Sequence, residues 1–316
     1  MYIPISRRDF LLRGAAAALA LGLPGPLRAL ARLPEAGLAG LDPLSGKEDR
    51  DRLTRWVAAL RAAGLHRRRV PLGNAVARAG ELALGTPYEA YTLEAYLKAG
   101  GSPWEKEPLT LWLTRFDCVS LVESCLAVAR VAARGGPPTW DTFGREVERM
   151  RYRGGVRAGY TSRLHYFSEW ITDNARRGLV RELGRELGGE ADRRPLRFMT
   201  EHRGSYPALR DDRVFAEIGA RERALDDDPR RVVPTARIPE VSDRIRTGDI
   251  LAFATSIEGL DVTHTGLAYR DRRGVLRVLH APLSGGVVEV SRGTLPEYVA
   301  AIRRSTGILV ARPLRV

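Results

Sequence analysis

The most informative part of this sequence reads Arg115-Phe116-Asp117-Cys118-Val119-Ser120-Leu121-Val122-Glu123-Ser124-Cys125. Asp117 has a short acceptor side chain of the kind that caps free N–H groups, and apolar residues then recur with helical spacing. The pattern predicts a helix that begins at Cys118 and ends at Arg134, before the glycines and prolines at 135–138. It therefore places a cysteine in the first turn of a helix.

The chain has two cysteines, Cys118 and Cys125. A thiol at the start of a helix lies near unpaired N–H groups and the positive end of the helix dipole, which favour the thiolate, and Arg115 adds positive charge. We therefore interpret Cys118 as a nucleophile and Cys125 as a core residue. A disulfide between them is excluded, because seven residues of helix separate them by roughly 10 Å.

Two histidines in the last part of the chain are candidate partners of this thiol. Strand alternation places His264 on one face with the small residues Gly266 and Ala268, which would let the cysteine helix approach. A three-residue loop with Arg272 at its apex would set His264 directly opposite His280. Opposed Cβ atoms are about 4.5–5.5 Å apart, so one imidazole could orient the other.

A thiol, an imidazole that accepts its proton and a third group that orients the imidazole are the parts of a cysteine hydrolase. Cysteine first and histidine second, with helices before strands, is the order of papain-like enzymes. Zinc binding is the rival interpretation, since Cys118, His264 and His280 could supply three ligands. We favour the hydrolase because no close-spaced ligand pair accompanies the cysteine, and we expect neither a metal nor another cofactor.

The order of predicted elements indicates the fold class. Helices are predicted over residues 49–63, 71–84, 118–134, 140–150, 164–177 and 295–303, and strands over 109–114, 250–253, 262–269, 275–280, 287–290 and 307–312. Residues 178–243 have no clear pattern, so we expect inserted long loops and short helices there. The chain therefore predicts an α+β fold in which a helical N-terminal part packs on an antiparallel β-sheet.

The beginning of the chain resembles a twin-arginine export signal. Ser6-Arg7-Arg8-Asp9-Phe10-Leu11-Leu12 precedes an apolar run at 14–23 that is too short to span a bilayer. We expect cleavage after residue 31, a linker at 32–48 and a catalytic domain at 49–316. The protein would then reside in the periplasm or cell envelope, whereas an uncleaved amphipathic tail is the alternative.

The chain of 316 residues is strongly basic, with a formal net charge of +13. Removal of residues 1–31 takes away four arginines and one aspartate and leaves +10. Such a charge can attract nucleic acid, membranes or anionic wall polymers. The arginines are spread along the chain, no basic run alternates with aromatic residues, and the signal removes the protein from the cytoplasm. These observations argue against nucleic acid and leave the charge as weak evidence for a partner.

Five segments in the same order resemble the NlpC-type papain-like cell-wall cysteine hydrolases. They are residues 116–123, 163–171, 198–200, 248–250 and 260–266. The closer resemblance is to a branch that acts as N-acetylmuramoyl-L-alanine amidase on anhydromuramoyl peptides, and it covers about residues 85–312. The chain departs from the pattern at Ser120 and Leu121, where threonine and phenylalanine are expected.

The resemblance implies a role for each candidate residue. Cys118 would be the nucleophile, His264 the general base and His280 the orienting residue, with Tyr88 near the oxyanion site. The remaining implied substrate-binding residues are Asp117, His165, Tyr166, Trp170 and Thr263, of which the aromatic residues would lie on one helix that lines the groove. The implied partners are muropeptides, with no stable membrane anchor, and we expect a monomer.

The implied reaction is attack of the Cys118 thiolate on the amide that links muramic acid to L-alanine, followed by hydrolysis of the thioester. A D-glutamyl–diamino acid endopeptidase of the same superfamily would use the same residues on another bond. A non-catalytic wall-binding module is the third interpretation, and the presence of all three catalytic residue types argues against it.

Overall fold

The computed structural model describes residues 46–315. The predicted export signal at 1–31 and most of the predicted linker at 32–48 lie outside these residues. The helices are α1 (Lys47–Ala62), α2 (Leu72–Leu82), α3 (Ala95–Lys98), α4 (Cys118–Arg134), α5 (Trp140–Arg151), α6 (Phe167–Arg176), α7 (Phe198–Glu201), α8 (Asp212–Ala224), α9 (Ile238–Val241) and α10 (Leu295–Ala301). In this part of the chain, no helix is both long enough and apolar enough to cross a membrane.

The strands form one antiparallel sheet. They are β1 (Val180–Glu182), β2 (Glu190–Asp192), β3 (Arg230–Pro234), β4 (Ile250–Thr255), β5 (Val262–Arg270), β6 (Leu276–His280), β7 (Glu289–Val290) and β8 (Ser305–Pro313). Their order across the sheet is β2-β3-β8-β4-β5-β6-β7, and β1 also pairs with β8. The predicted α+β class, with helices packed on an antiparallel sheet, is confirmed.

Helix α4 is the centre of the helical layer. Apolar residues surround it, as expected of a helix buried on all sides, and it packs against α1, α2, α5 and β5. Cys125 has no exposed surface and lies in the same apolar cluster as Leu121 and Val122. Cys125 is therefore a core residue, as predicted.

The opposite face of the sheet carries a second apolar cluster. Leu295 and Val299 of α10 pack there with Phe253 of β4 and Ala268 of β5. Helices thus cover both faces of the central strands. Because both faces are covered, strand alternation alone cannot tell which helix a given strand residue meets.

Three predicted elements differ from the structure. The segment 109–114 forms no strand, because the Asp49 carboxylate accepts the N–H groups of Leu113 and Thr114 at 2.6 and 2.9 Å. Helix α6 begins at Phe167 instead of 164. Within 178–243, where long loops and short helices were expected, β1, β2 and β3 join the sheet and α8 extends over 13 residues.

Candidate active site

The start of α4 is held by a reciprocal pair of hydrogen bonds. The Asp117 carboxylate accepts the Ser120 N–H at 2.7 Å, and the Ser120 hydroxyl accepts the Asp117 N–H at 2.9 Å. This capping box fixes the first turn and confirms the predicted helix start at Cys118. Ser120, which departs from the family pattern, therefore has a structural role, and Asp117 uses a carboxylate oxygen for capping.

Cys118 is half-buried at this helix start and lies beside Thr265 of β5. Burial raises the pKa of the Cys118 thiol to about 11, and the negative charge of Asp117 acts in the same direction. Thr265 and the Cys118 N–H act in the opposite direction and lower the pKa of the thiol. The thiol is therefore protonated at neutral pH, so the prediction of a thiolate favoured by the helix start is wrong for the free protein.

Arg115 does not supply the positive charge that the sequence suggested. Its guanidinium lies 3.8 Å from the centre of the Trp112 ring and forms an ion pair with Glu89 at 3.0 Å. Its charge is thus shared with a carboxylate, and it does not counter the effect of burial on the thiol.

Tyr88 lies next to the thiol, as its predicted role requires. Its segment pairs in parallel with Phe116, and the Tyr88 N–H donates to the Gly286 carbonyl at 2.8 Å. Burial, together with the charges of Cys118 and Asp117, raises the pKa of the Tyr88 hydroxyl. Tyr88 is therefore a neutral hydrogen-bond donor near Cys118.

His264 and His280 form a direct hydrogen bond. The Nε2 atom of His264 is 2.9 Å from Nδ1 of His280, and the rings meet edge to face. The predicted register is nevertheless wrong, because Leu267 pairs with Leu279, a shift of two residues. The loop centres on Arg273, since the Asp271 N–H bonds the Val275 carbonyl. A shift of two keeps both imidazoles on one face, where they meet diagonally.

The face that His264 occupies also differs from the prediction. Its ring stacks on Phe253 with centroids 5.7 Å apart, on the α10 side of the sheet, while Thr265 faces α4 and the thiol. Among residues 46–315, the hydrogen bonds of His264 do not include one to Cys118. The structure thus places the thiol beside Thr265. Thr265 is the chain neighbour of His264, and consecutive Cα atoms are about 3.8 Å apart.

Two further residues contact His280 and were not singled out from the sequence. The Tyr298 hydroxyl of α10 is 3.3 Å from Nδ1 of His280, and a Glu289 carboxylate oxygen is 3.9 Å from Nε2. Glu289 pairs with His280 across β6 and β7, so a correct register would have revealed it. Tyr298 comes from a separate helix, and no local sequence signal indicates its contact.

Both imidazoles are neutral over the physiological range. Burial lowers the pKa of His264 to about 3, with a smaller contribution from His280, and burial lowers the pKa of His280 to about 4. His280 is 2% exposed, so water cannot compensate the charge of an imidazolium there. Both rings are therefore uncharged, and one donates a hydrogen bond to the other.

The predicted groove residues separate into two groups. Tyr166 and Trp170 are buried and bond Glu222 and Glu123, so their prediction as groove residues is wrong. His165 precedes α6 instead of lying on it, and its Nε2 contacts the Tyr160 carbonyl at 2.9 Å. Its contact with substrate remains a prediction.

Thr263 remains a candidate for substrate binding. It lies at a bulge, where the β4–β5 register shifts next to His264. Its buried hydroxyl has no hydrogen-bond partner within residues 46–315. A hydroxyl in this condition is available to a bound group.

No group of three or more metal-ligating side chains occurs in the described part of the chain. His264 and His280 bond each other, and Cys118 contacts Thr265. The three residues considered for zinc are thus engaged in a different arrangement.

Comparison with known proteins identifies relatives of this chain. The profile of the family described as "AmiA-like: N-acetylmuramoyl-L-alanine amidase-like" matches residues 78–308. This range contains the thiol, both histidines and the two residues that contact His280. No protein of curated function matches the chain significantly.

Solved structures share the fold over most of their length. An N-acetylmuramoyl-L-alanine amidase from Bacteroides uniformis ATCC 8492 is 30% identical, with a TM-score of 0.69, and the match covers 77% of this chain and 99% of that one. A Bacteroides fragilis protein with a provisional xylanase name is 33% identical, with a TM-score of 0.67 and coverage of 74% and 99%. A Legionella pneumophila protein at 16% identity and a TM-score of 0.62, covering 85% and 95%, shares the fold.

Proposed function

Because the chain belongs to the AmiA-like family of N-acetylmuramoyl-L-alanine amidase-like proteins, we propose that it is a cysteine-dependent amidase of peptidoglycan fragments. Cys118 is the nucleophile, and His264 is the general base. The substrate is an anhydromuramoyl peptide, and the bond cleaved joins the lactyl carbonyl of the sugar to L-alanine. The papain-like, NlpC-type mechanism belongs to the same proposal.

The observation that carries this proposal is the hydrogen bond between His264 and His280 next to the thiol-bearing helix start. A bonded imidazole pair with no carboxylate between the rings fits the role of a base and its orienting partner. Cys118 interacts with Thr265, the chain neighbour of His264, and the proposed reaction requires the thiol and the His264 ring to come together when the substrate binds. Catalytic hydrogen bonds are often long before the substrate binds and shorten in the complex.

The resting thiol and imidazole are both neutral, which determines the first step. His264 takes the proton as the sulfur attacks, since neither a thiolate nor an imidazolium is stable in the free site. His264 then gives this proton to the amine of L-alanine as the peptide leaves. Water hydrolyses the remaining thioester, and His264 acts as its base.

The negative charge on the carbonyl oxygen develops beside the start of α4. The Cys118 N–H belongs to the first turn, where backbone N–H groups lack acceptors within the helix. Tyr88 adds a neutral hydroxyl donor at the same place. Removal of one such donor from an oxyanion site costs about 10²–10³ in kcat.

The tautomer of His264 follows from its partner. To accept the thiol proton at Nδ1, His264 must carry its own proton on Nε2 and donate it to Nδ1 of His280. His280 then carries its proton on Nε2, which faces the Glu289 carboxylate at 3.9 Å. Glu289 and the Tyr298 hydroxyl, if it donates to Nδ1, both favour this tautomer.

The provisional xylanase name of the Bacteroides fragilis relative suggests a different bond. Glycoside hydrolysis commonly uses two carboxyl groups that flank the scissile bond. Here the proposed catalytic residues are a cysteine and two histidines, and the Asp117 carboxylate caps α4. The site geometry therefore supports cleavage of an amide.

The proposal is tested by mass spectrometry of products from a purified anhydromuramoyl tetrapeptide. We expect the wild-type protein to release the anhydro sugar and an intact L-alanyl peptide. Cys118→Ala should release neither, whereas Cys125→Ala, which removes the core thiol, should retain the activity. Release of an L-alanyl-D-glutamate-bearing sugar would assign the endopeptidase bond instead, and equal activity of Cys118→Ala would contradict the proposed nucleophile.

We also propose export by the twin-arginine route to the periplasm or cell envelope, where the protein acts as a monomer. The support is the Arg7-Arg8 pair followed by a short apolar run. Replacing both arginines by lysine should retain the protein in the cytoplasm. Export of this variant at the wild-type level would contradict the proposal.

A further inference from the structure

A cavity of about 560 Å³ lies at the carboxyl end of α4. Its lining includes Arg67 and Arg68 from the α1–α2 loop, Arg130 and Arg134 from α4, and Arg315 after β8. Sixteen residues of helix separate Cys118 from Arg134, so the two ends of α4 are roughly 24 Å apart. The cavity is therefore distinct from the proposed active site.

Arg130 is a buried cation whose donors are not all used. Its side chain is 2% exposed, and Nη2 donates to the Leu179 carbonyl at 2.6 Å. Its Nε and Nη1 atoms have no hydrogen-bond partner within residues 46–315. The Glu146 carboxylate lies 3.8 Å from Nη1 and is closer to Arg134, at 2.8 Å. Unused donors on a buried guanidinium cost free energy unless another group accepts from them.

Arg315 adds a second fixed positive charge. Its guanidinium donates to the backbone carbonyls of Leu65, His66, Arg67 and Val70 at 2.9–3.2 Å. These carbonyls orient the group without neutralising it. Burial accordingly lowers the pKa of Arg315. Burial also lowers the pKa of Arg130, to about 10.

The lining as a whole is strongly cationic. It contains five arginines, one histidine and no acidic residue, and the buried Nδ1 of His66 has no partner in the described part of the chain. Leu72 brings the first turn of α2 to the wall, and helix starts attract anions. Guanidinium groups bind phosphate oxygens in pairs with good geometry.

We propose that this cavity is a binding site for a phosphate group, carried either by a free ion or by a phospholipid head. Arg130 and Arg315 contribute fixed positive charge to its lining, and the exposed Arg67 and Arg68 donate hydrogen bonds to the bound group. The site does not depend on the proposed amidase activity. A bound phosphate would add negative charge to that of Glu146, which is the carboxylate paired with Arg130 and Arg134.

Isothermal titration of the full chain with sodium phosphate, against sodium chloride of equal ionic strength, tests the free-ion form. We expect saturable binding that weakens at least tenfold in the double variant Arg67→Ala/Arg68→Ala. The matched control is Arg272→Ala/Arg273→Ala, an adjacent exposed pair in the β5–β6 turn that removes the same charge. It should bind like the wild type.

Sedimentation with phosphatidylglycerol vesicles, against phosphatidylcholine vesicles, tests the lipid form. Vesicle binding that needs Arg67 and Arg68 but not Arg272 and Arg273, without binding of free phosphate, assigns the group to a lipid head. Failure of both probes, or equal weakening in the two double variants, would overturn the proposal. Circular dichroism confirms that the variants are folded, and each mutated side chain is exposed.

Discussion

His264 and His280 bond each other at 2.9 Å although they do not occupy opposed positions in the β5–β6 pair. A Cβ on Gly266 would lie 3.1 Å from the His280 Cβ, so it is Gly266 that lies beside His280. The absence of a side chain there lets the two imidazoles meet across the diagonal. The relationship is specific enough to predict the effect of substitutions in the proposed mechanism.

Replacing His280 should separate its orienting role from its bulk. In His280→Ala the Nε2 proton of His264 loses its acceptor, so we expect kcat/KM to fall about 100-fold or more. His280→Asn offers an amide oxygen in place of Nδ1 and should retain activity within about tenfold of the wild type, as in cysteine–histidine–asparagine sites. Steady-state rates on the anhydromuramoyl peptide measure both. Equal losses in the two variants would indicate a purely structural role.

Glu289 should influence the rate through the tautomer of His280. Because it is half-exposed and 3.9 Å from Nε2, Glu289→Gln should lower kcat/KM by only about two- to fivefold, with KM unchanged. Glu190→Gln, an exposed position in β2 at the far edge of the sheet, is the matched control. The same decrease in both variants would show that the effect is a general one of surface charge.

The pH dependence of kcat/KM should be broad. The pKa values of His264 and His280 are lowered to about 3 and about 4, and that of Cys118 is raised to about 11. The productive state has one proton shared between thiol and imidazole. As the pH is raised, kcat/KM should therefore increase up to about pH 5, stay level, and fall only near pH 11. A midpoint near pH 6.5 would contradict the lowered pKa of His264.

The same burial should make the protein sensitive to acid. An unfolded imidazole binds a proton near pH 6.5, whereas the folded His264 and His280 do so only near pH 3–4. The unfolded state therefore binds more protons below pH 6.5. The free energy of unfolding should decrease as pH falls to about 4, by up to about 1.4 kcal/mol per unit for each imidazole.

Urea unfolding of the wild type and of His264→Gln/His280→Asn measures this contribution. The variant lacks both groups, so its stability should decrease less steeply between pH 6.5 and pH 4. Parallel curves for the two proteins would contradict the linkage. The half-buried His165, whose pKa is also lowered, is present in both proteins and cancels in the difference.

Local chemistry made the start of α4 predictable. Asp117 followed by an apolar repeat specifies a capped helix, and its bounds, Cys118 to Arg134, are those predicted. The meeting of His264 and His280 was also predictable, because an error of two residues in register leaves both on one face. A one-residue error would have separated them.

The ionisation of the site was not predictable from the sequence. The sequence suggested that the helix start and Arg115 favour a thiolate, but Arg115 pairs with Glu89, and burial of Cys118 raises its pKa. This burial depends on the packing of β5 against α4. Likewise, alternation divides the side chains of β5 between two faces of the sheet. Helices cover both faces, so the sequence does not tell which face meets α4. The three-residue strands β1 and β2 lack a detectable alternation and gain their identity from pairing with β8 and β3.

The most direct test of the account is the mass of the acyl group on the enzyme. A reaction with anhydromuramoyl tetrapeptide is quenched with acid within its first turnover, and the intact protein and its peptides are weighed. The account predicts an added anhydro-N-acetylmuramoyl group on the peptide that contains Cys118, without L-alanine. An acyl group that includes L-alanine and D-glutamate, or product formation with no adduct on Cys118 at any time, would contradict it.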